Sequence, residues 1–273
     1  MLKSRIITAV ILLAMFLLAL FVMPDSVWTT LVVLMVLQGA AEWSRLAKLG
    51  GARASIFWWS TLLIMLLMVW SDASHSLEQQ AMLHMPAYLV SALLWLIIVP
   101  TWLITGWKVK NPILMTLTGW AVLIPTGLAM LDLRVINPNW LLAVMGLVWV
   151  ADISAYFAGR KFGKRKLAPA ISPGKTWEGV AGAMLGVSVY VLLIGLNVDL
   201  MYRGVIPYML LASWWWVGLA VIGDLFESAI KRQAGVKDSG ALLPGHGGLL
   251  DRIDALTSTL PLAAFVVLLQ QIK

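Results

Sequence analysis

Between Asp224 and Asp254 the chain gathers four cations, five acids, one histidine and five glycines within 31 residues. The order is Asp224, Glu227, Ser228, Lys231, Arg232, Lys237 and Asp238, then Pro244-Gly245-His246-Gly247-Gly248, then Asp251, Arg252 and Asp254. Carboxylates at this density can hold a divalent cation through hard oxygens, while lysine and arginine can hold phosphates. Such a set points to nucleotide or phospholipid chemistry. Long apolar runs flank it on both sides, and charges beside a bilayer are costly unless they serve a site.

Spacing says how these residues are positioned. The apolar run after Arg203 leaves about 19 residues before Asp224, or about 28 Å of helix, so Asp224 is expected at the membrane boundary. Asp224, Glu227, Ser228 and Lys231 fall at i, i+3, i+4 and i+7, one helix face, with Gly235 as the stop. A solvated helix end with internal Glu–Lys pairing is the competing explanation. Pro244 to Gly248 predicts a loop whose backbone can approach an anion closely. Asp251 and Asp254 then share a face at the start of the next helix, where acids also suit capping and the dipole, so Asp254 is as readily structural. Asp251 and Asp224 reach one level from separate helices and make a hard-oxygen pair suited to Mg²⁺. Without a cation, their repulsion would raise one pKa or part the helices.

Three further residues belong to this reading. His246, between glycines in a polar loop, is read as a phosphate contact or proton handler. Asp152 lies eight residues before Arg160, hence below the surface, and is assigned to a polar cavity rather than to helix pairing. Ser172-Pro173-Gly174-Lys175-Thr176 predicts a turn that presents Lys175. It is not a Walker A loop: residue 169 is proline where glycine is needed, and no strand is expected before it.

Lipid must be the solvent for the elements that carry these groups. The chain is 61% hydrophobic and 12% charged, with a mean hydropathy of +0.89. Nine apolar spans are predicted, near 6–23, 27–43, 54–71, 86–105, 113–131, 139–158, 177–196, 205–226 and 255–271. The fold class is therefore an all-α polytopic membrane bundle. Residues 1–138 supply five spans, and 139–273 a catalytic region with loops at 159–176 and 227–254. An uncleaved first span is expected, since no A-x-A cleavage pattern follows it. Of 20 lysines and arginines, 17 fall on the N-terminal side of the membrane, which predicts a cytoplasmic N-terminus. The net charge of +7 is thus mostly topological and no sign of nucleic acid. Absence of cysteine excludes disulfides and thiolate metal sites. Asp25, Asp72, Glu78, Asp132 and Asp199 are expected in outer loops as solvated groups, and Glu42 is expected to pair with Arg45.

The ordered string from Ser228 through Lys231-Arg232, Lys237-Asp238-Ser239-Gly240, Pro244-x-His246-Gly247-Gly248 and Asp251-Arg252-Ile253-Asp254 resembles the signature of the phosphatidate cytidylyltransferase (CDP-diacylglycerol synthase) family. Gly223-Asp224, Ser172 to Gly179 and Asp152-x-Ser154-Ala155-Tyr156 fit the same pattern. The likeness is specific over roughly 145–260; the first 140 residues match only as a generic set of spans. It implies that CTP and phosphatidic acid give CDP-diacylglycerol and pyrophosphate for phospholipid biosynthesis. It also implies a binuclear centre on Asp224 and Asp251, with Mg²⁺ and K⁺ as the candidate second ion. On this reading Asp224, Asp251, Lys237 and Arg252 are catalytic. Ser172, Lys175, Ser228, Lys231, Arg232, Asp238, His246, Gly247, Gly248 and Asp152 bind substrate. The expected setting is the bacterial inner membrane with the site facing the cytoplasm, and a homodimer is left open. A CDP-alcohol phosphotransferase would need an Asp-Gly-x-x-Ala-Arg run that the chain lacks, and a sugar-phosphate transferase is a further rival. A secondary transporter would place its ionisable groups near the midplane rather than at one face.

Overall fold

The structure, a computed structural model, describes residues 2–196, 204–242 and 247–270. Its helices are α1 (Leu2–Phe21), α2 (Asp25–Leu46), α3 (Ala52–Asp72), α4 (Leu77–Leu93), α5 (Val99–Thr105), α6 (Pro112–Ile136), α7 (Pro138–Phe162), α8 (Trp177–Leu196), α9 (Ile206–Ala234) and α10 (Leu250–Leu268). A π-turn over Leu94–Ile98 joins α4 to α5 in one continuous span. Pro100, which has no N–H to donate, follows after Val99 and gives the reason for the widened turn.

Among the described residues seven helical segments are long and apolar enough to cross a membrane: α2, α3, α4 to α5, α6, α7, α8 and α9. The helices α1 and α10 stand where the first and ninth spans are predicted. Asp251, Arg252 and Asp254 crowd the start of α10, which keeps that helix out of the strictly apolar set. The all-α membrane architecture holds, with the fourth span starting nine residues earlier than expected.

Two helices form the centre. Every residue from Val122 to Leu133 in α6, and from Ala255 to Ala264 in α10, is buried. A helix apolar all round belongs inside a bundle, and here α10 packs against α9, α6 and α4 at once. Around this pair the outer helices turn large apolar residues such as Trp59, Leu66, Leu185 and Leu193 outward, as lipid solvation requires. Of the Trp214 to Trp216 run, Trp214 and Trp215 face outward and Trp216 packs inward, as a lipid-facing or packing role predicts. The pair α7 and α8 makes the most extensive contact, because Gly182 and Gly186 lie on their interface. A Cβ at either would collide with Ala158 or Ser154, so small residues let the backbones approach.

Two expectations fail here. Asp132 is no solvated loop group: α6 continues past it, and its carboxylate is buried against His84 Nδ1 at 2.9 Å and the Tyr88 hydroxyl at 2.5 Å. His84 Nε2 faces Asp72 at 3.2 Å, so one fully buried imidazole sits between two acids. The apolar run carried by Leu133, Val135 and Ile136 extends the helix a turn beyond the predicted end, and a buried acid then needs partners. Between α7 and α8 the chain forms an antiparallel hairpin, β1 (Lys166–Ala168) with β2 (Ser172–Thr176), where only a turn was expected. A strand does precede Ser172, so the Walker A reading fails on Pro169 alone.

Candidate active site

The site grows from the charged end of α9. Its face carries Asp224, Glu227, Ser228 and Lys231 as the spacing predicts: Ser228 Oγ donates to Asp224 Oδ1 at 3.3 Å, and Lys231 Nζ lies 3.5 Å from Glu227 Oε2. Gly235 adopts the left-handed conformation that ends the helix (φ 82°). Phe226, on the opposite face, fixes the register. Its ring centroid stands 5.3 Å from Trp102, 5.5 Å from Trp95 and 6.3 Å from Trp43, tying α9 to α2 and the α4–α5 span.

The hairpin delivers Lys175 to this face, where Nζ pairs with Asp224 Oδ2 at 2.5 Å. Three contacts hold the hairpin in place. The Glu178 carboxylate accepts from the backbone N–H groups of Lys164 at 3.0 Å and Arg165 at 3.2 Å. Thr176 Oγ1 accepts from Gly179 N, capping α8, and Arg232 Nε donates to the Ile171 carbonyl at 3.3 Å. Between α7, α8, α9 and the hairpin lies a cavity of about 480 Å³, lined among others by Asp152, Tyr156, Ser172, Lys175 and Asp224. Asp152 lines this cavity beside Lys175 and Asp224, in a wall otherwise largely apolar. That volume is in the range of small-molecule sites.

Asp251 is built into the neighbouring loop. One oxygen pairs with Lys231 Nζ at 2.6 Å; the other accepts from Ser239 N at 2.9 Å and Gly248 N at 2.8 Å. Glycine is required at Gly247 and Gly248. Gly247 has φ 82°, and a Cβ on it would meet Asp251 Oδ2, while one on Gly248 would strike Ser239 and Glu42.

Glu42 is the residue that sequence reasoning missed. It is fully buried and makes no pair with Arg45, whose Nε donates to the Ala41 carbonyl instead. Its carboxylate accepts from Leu249 N at 2.8 Å, Leu250 N at 2.9 Å, Ser239 Oγ at 2.7 Å and Gln38 Nε2 at 2.9 Å. An acid from α2 thus caps α10 from a distance, satisfying N–H groups no side chain of α10 itself reaches. Ser239 Oγ also lies 3.0 Å from Asp251 Oδ2, so its single proton serves one carboxylate at a time. The available signal was an acid at the inner end of an apolar span, where charge is costly without partners.

Asp224 and Asp251, predicted as a metal pair, sit in adjoining ion-pair sets, the first on Lys175 and the second on Lys231. Asp224 is also close enough to Asp152 and Asp254 to act on both electrostatically. Among the described residues no three acids or histidines are arranged to hold a metal by themselves. The donor types nonetheless suit one. Asp152, Asp224, Glu227, Asp251 and Asp254 put hard-oxygen donors along one seam with two lysines, and both Glu227 oxygens are buried without a hydrogen-bond partner, Lys231 Nζ lying 3.5 Å from one of them. Mg²⁺ is commonly held by one or two carboxylates, with substrate phosphates completing the shell. Lys237, Asp238 and Arg252 are exposed around this seam, and His246 lies outside the described residues.

Residues 3–270 match the model of the cytidylyltransferase family. The chain belongs to that family. A phosphatidate cytidylyltransferase of Haemophilus influenzae is 36% identical over 97% of this chain and 98% of its own length. One of Pseudomonas aeruginosa is 37% identical over 97% and 96%. A third, of Thermotoga maritima, is 43% identical over 46% of this chain and 47% of its own length. The resemblance read from the signature is borne out, and it extends over the first spans that had matched only generically.

Proposed function

We propose that this cytidylyltransferase-family chain transfers the cytidylyl group of CTP to phosphatidic acid, giving CDP-diacylglycerol and pyrophosphate. The observation that carries the reading is the Lys175–Asp224 pair facing a cavity between membrane helices, with Lys231–Asp251 beside it. Two highly anionic substrates must be brought together, and ammonium groups placed among carboxylates can neutralise phosphates while leaving acids for a cation.

A phosphate-monoester oxygen of phosphatidate attacks the α-phosphorus of CTP. One P–O bond forms there, the bond to the β-phosphate breaks, and pyrophosphate leaves with its electron pair. The substrate supplies the nucleophile, so no serine–histidine dyad is needed, and Ser228 orients Asp224. Lys175 and Lys231 contact phosphates, and Arg232, Lys237 and Arg252 stand around the seam as further cations. Asp224 and Asp251 would hold Mg²⁺, with Glu227 and Asp254 adjoining, and the ion would supply charge neutralisation at the phosphates. Gly247 and Gly248 keep the loop backbone close to the site.

The reaction is assigned to the cytoplasmic side of a bacterial inner membrane. Support comes from the charge asymmetry: the proposed site shares its face with 17 of the 20 lysines and arginines. Phosphatidate would enter laterally with its chains in lipid, and CTP from the aqueous side. The test is pyrophosphate release by the full chain in detergent, dependent on CTP, Mg²⁺ and added phosphatidic acid. Release is expected to fall at least a hundredfold in Asp224→Ala and in Asp251→Ala. No release by the parent chain, or release indifferent to both substitutions, overturns the assignment.

A further inference from the structure

A second and larger cavity, about 620 Å³, opens on the other side of the hairpin turn and shares no lining residue with the first. Its wall is formed by the end of α2, the end of α5, the segment after it, the hairpin turn and the last turns of α9. Lys48, Lys108, Lys110 and Arg232 line it, and no acid does. Among the described residues none of the three lysines has a carboxylate within ion-pair distance. Four cations around one hollow repel one another and raise its affinity for anions.

The rest of the wall is built rather than incidental. Trp102 is buried, donates through Nε1 to the Trp107 carbonyl at 2.9 Å, and meets the Trp107 ring edge-on at 6.2 Å. Leu46 and Leu103 extend an apolar surface beside the cations. Lys48 stands in the left-handed region (φ 54°), where helix ends normally carry glycine. Its N–H and that of Leu49 close the end of α2 onto the carbonyls of Arg45 and Ser44. A lysine kept in a backbone conformation that favours glycine points to a use for its ammonium, since strained residues gather at ligand sites.

We propose that this cavity is a second anion site, which takes a phosphate-bearing ligand separately from the catalytic cavity. The three lysines would meet the phosphate, and the tryptophans and leucines would meet whatever apolar part accompanies it. An anionic lipid headgroup and a free phosphate ion share this chemistry. The proposal does not depend on the transferase reading.

Isothermal titration calorimetry of the full chain in neutral detergent tests it, with dioctanoyl phosphatidylglycerol and inorganic phosphate as separate probes and dioctanoyl phosphatidylcholine as a zwitterionic control. Each titration is repeated on Asp224→Ala, so that binding in the catalytic cavity is recognised. The Lys48→Gln/Lys108→Gln/Lys110→Gln chain is expected to bind one anionic probe at least tenfold more weakly than the parent, with phosphatidylcholine unaffected. Loss confined to phosphatidylglycerol identifies a lipid headgroup; loss of phosphate binding identifies the free ion. Parent and triple variant binding both anionic probes within twofold, or neither probe binding the parent, overturns the proposal. Should the triple variant fail to fold, Lys48→Gly decides, because glycine suits that backbone. About threefold weaker binding is expected there, and unchanged affinity refutes the site.

Discussion

A single carboxylate, Glu42, links the two halves of the chain at the residue scale. Four donors converge on it, two of them backbone N–H groups at the start of α10. Glu42→Gln keeps the size but turns an NH₂ group toward donors. A mismatch of this kind costs about 1–3 kcal/mol. Pyrophosphate release is expected to fall at least tenfold and the thermal midpoint to drop, whereas Arg45→Ala, whose side chain the site does not use, should leave both near the parent values. Glu42 was illegible in the sequence because Ser239, Leu249 and Leu250 stand 197, 207 and 208 residues away. Asp224, Ser228 and Lys231 were legible because their partners lie one helical turn off or in a dense motif. Asp132 failed for the same reason as Glu42: its partner His84 belongs to another span. Replacing His84 with leucine removes a partner from the buried Asp132 and from the half-buried Asp72, and losing one partner of such a set costs about 3–5 kcal/mol. A lower thermal midpoint by circular dichroism checks this.

Among the elements, most helices were readable because an apolar run must match the bilayer: α8 begins and ends where its run does, whereas the α4–α5 span starts well before its run. The hairpin was not readable. Strands of three and five residues, the second interrupted by Pro173 and joined to the first through Pro169, carry no period, and their pairing is fixed by Glu178 and Arg232 from outside. Glu178→Ala frees the backbone N–H groups of Lys164 and Arg165 and should loosen the turn that presents Lys175. The expected signature is a raised KM for CTP or phosphatidic acid, with a smaller change in kcat, measured by steady-state pyrophosphate release. The aromatic clamp sets the other side of α9. Phe226→Ala removes a side chain packed against three tryptophans, and such truncations cost about 3–5 kcal/mol. Thermal unfolding monitored by tryptophan fluorescence should show it.

For the whole molecule, the charge asymmetry that predicted topology can be tested directly, because the chain has no cysteine. Lys164→Cys, between α7 and β1, should react with a membrane-impermeant maleimide in inverted vesicles and not in intact cells; Ser74→Cys, after α3, should do the reverse. Identical labelling of both would contradict the orientation. The reach of Glu42 has one more consequence, for biogenesis. The acid is synthesised and inserted with α2, yet its backbone partners are the first residues of the final helix. Until that helix arrives, the carboxylate must stay wet, protonated or held by other groups. A chain stopped before residue 249 would therefore carry a stranded acid inside an otherwise apolar assembly, and the reaction centre can close only after residues 249 and 250 have been made.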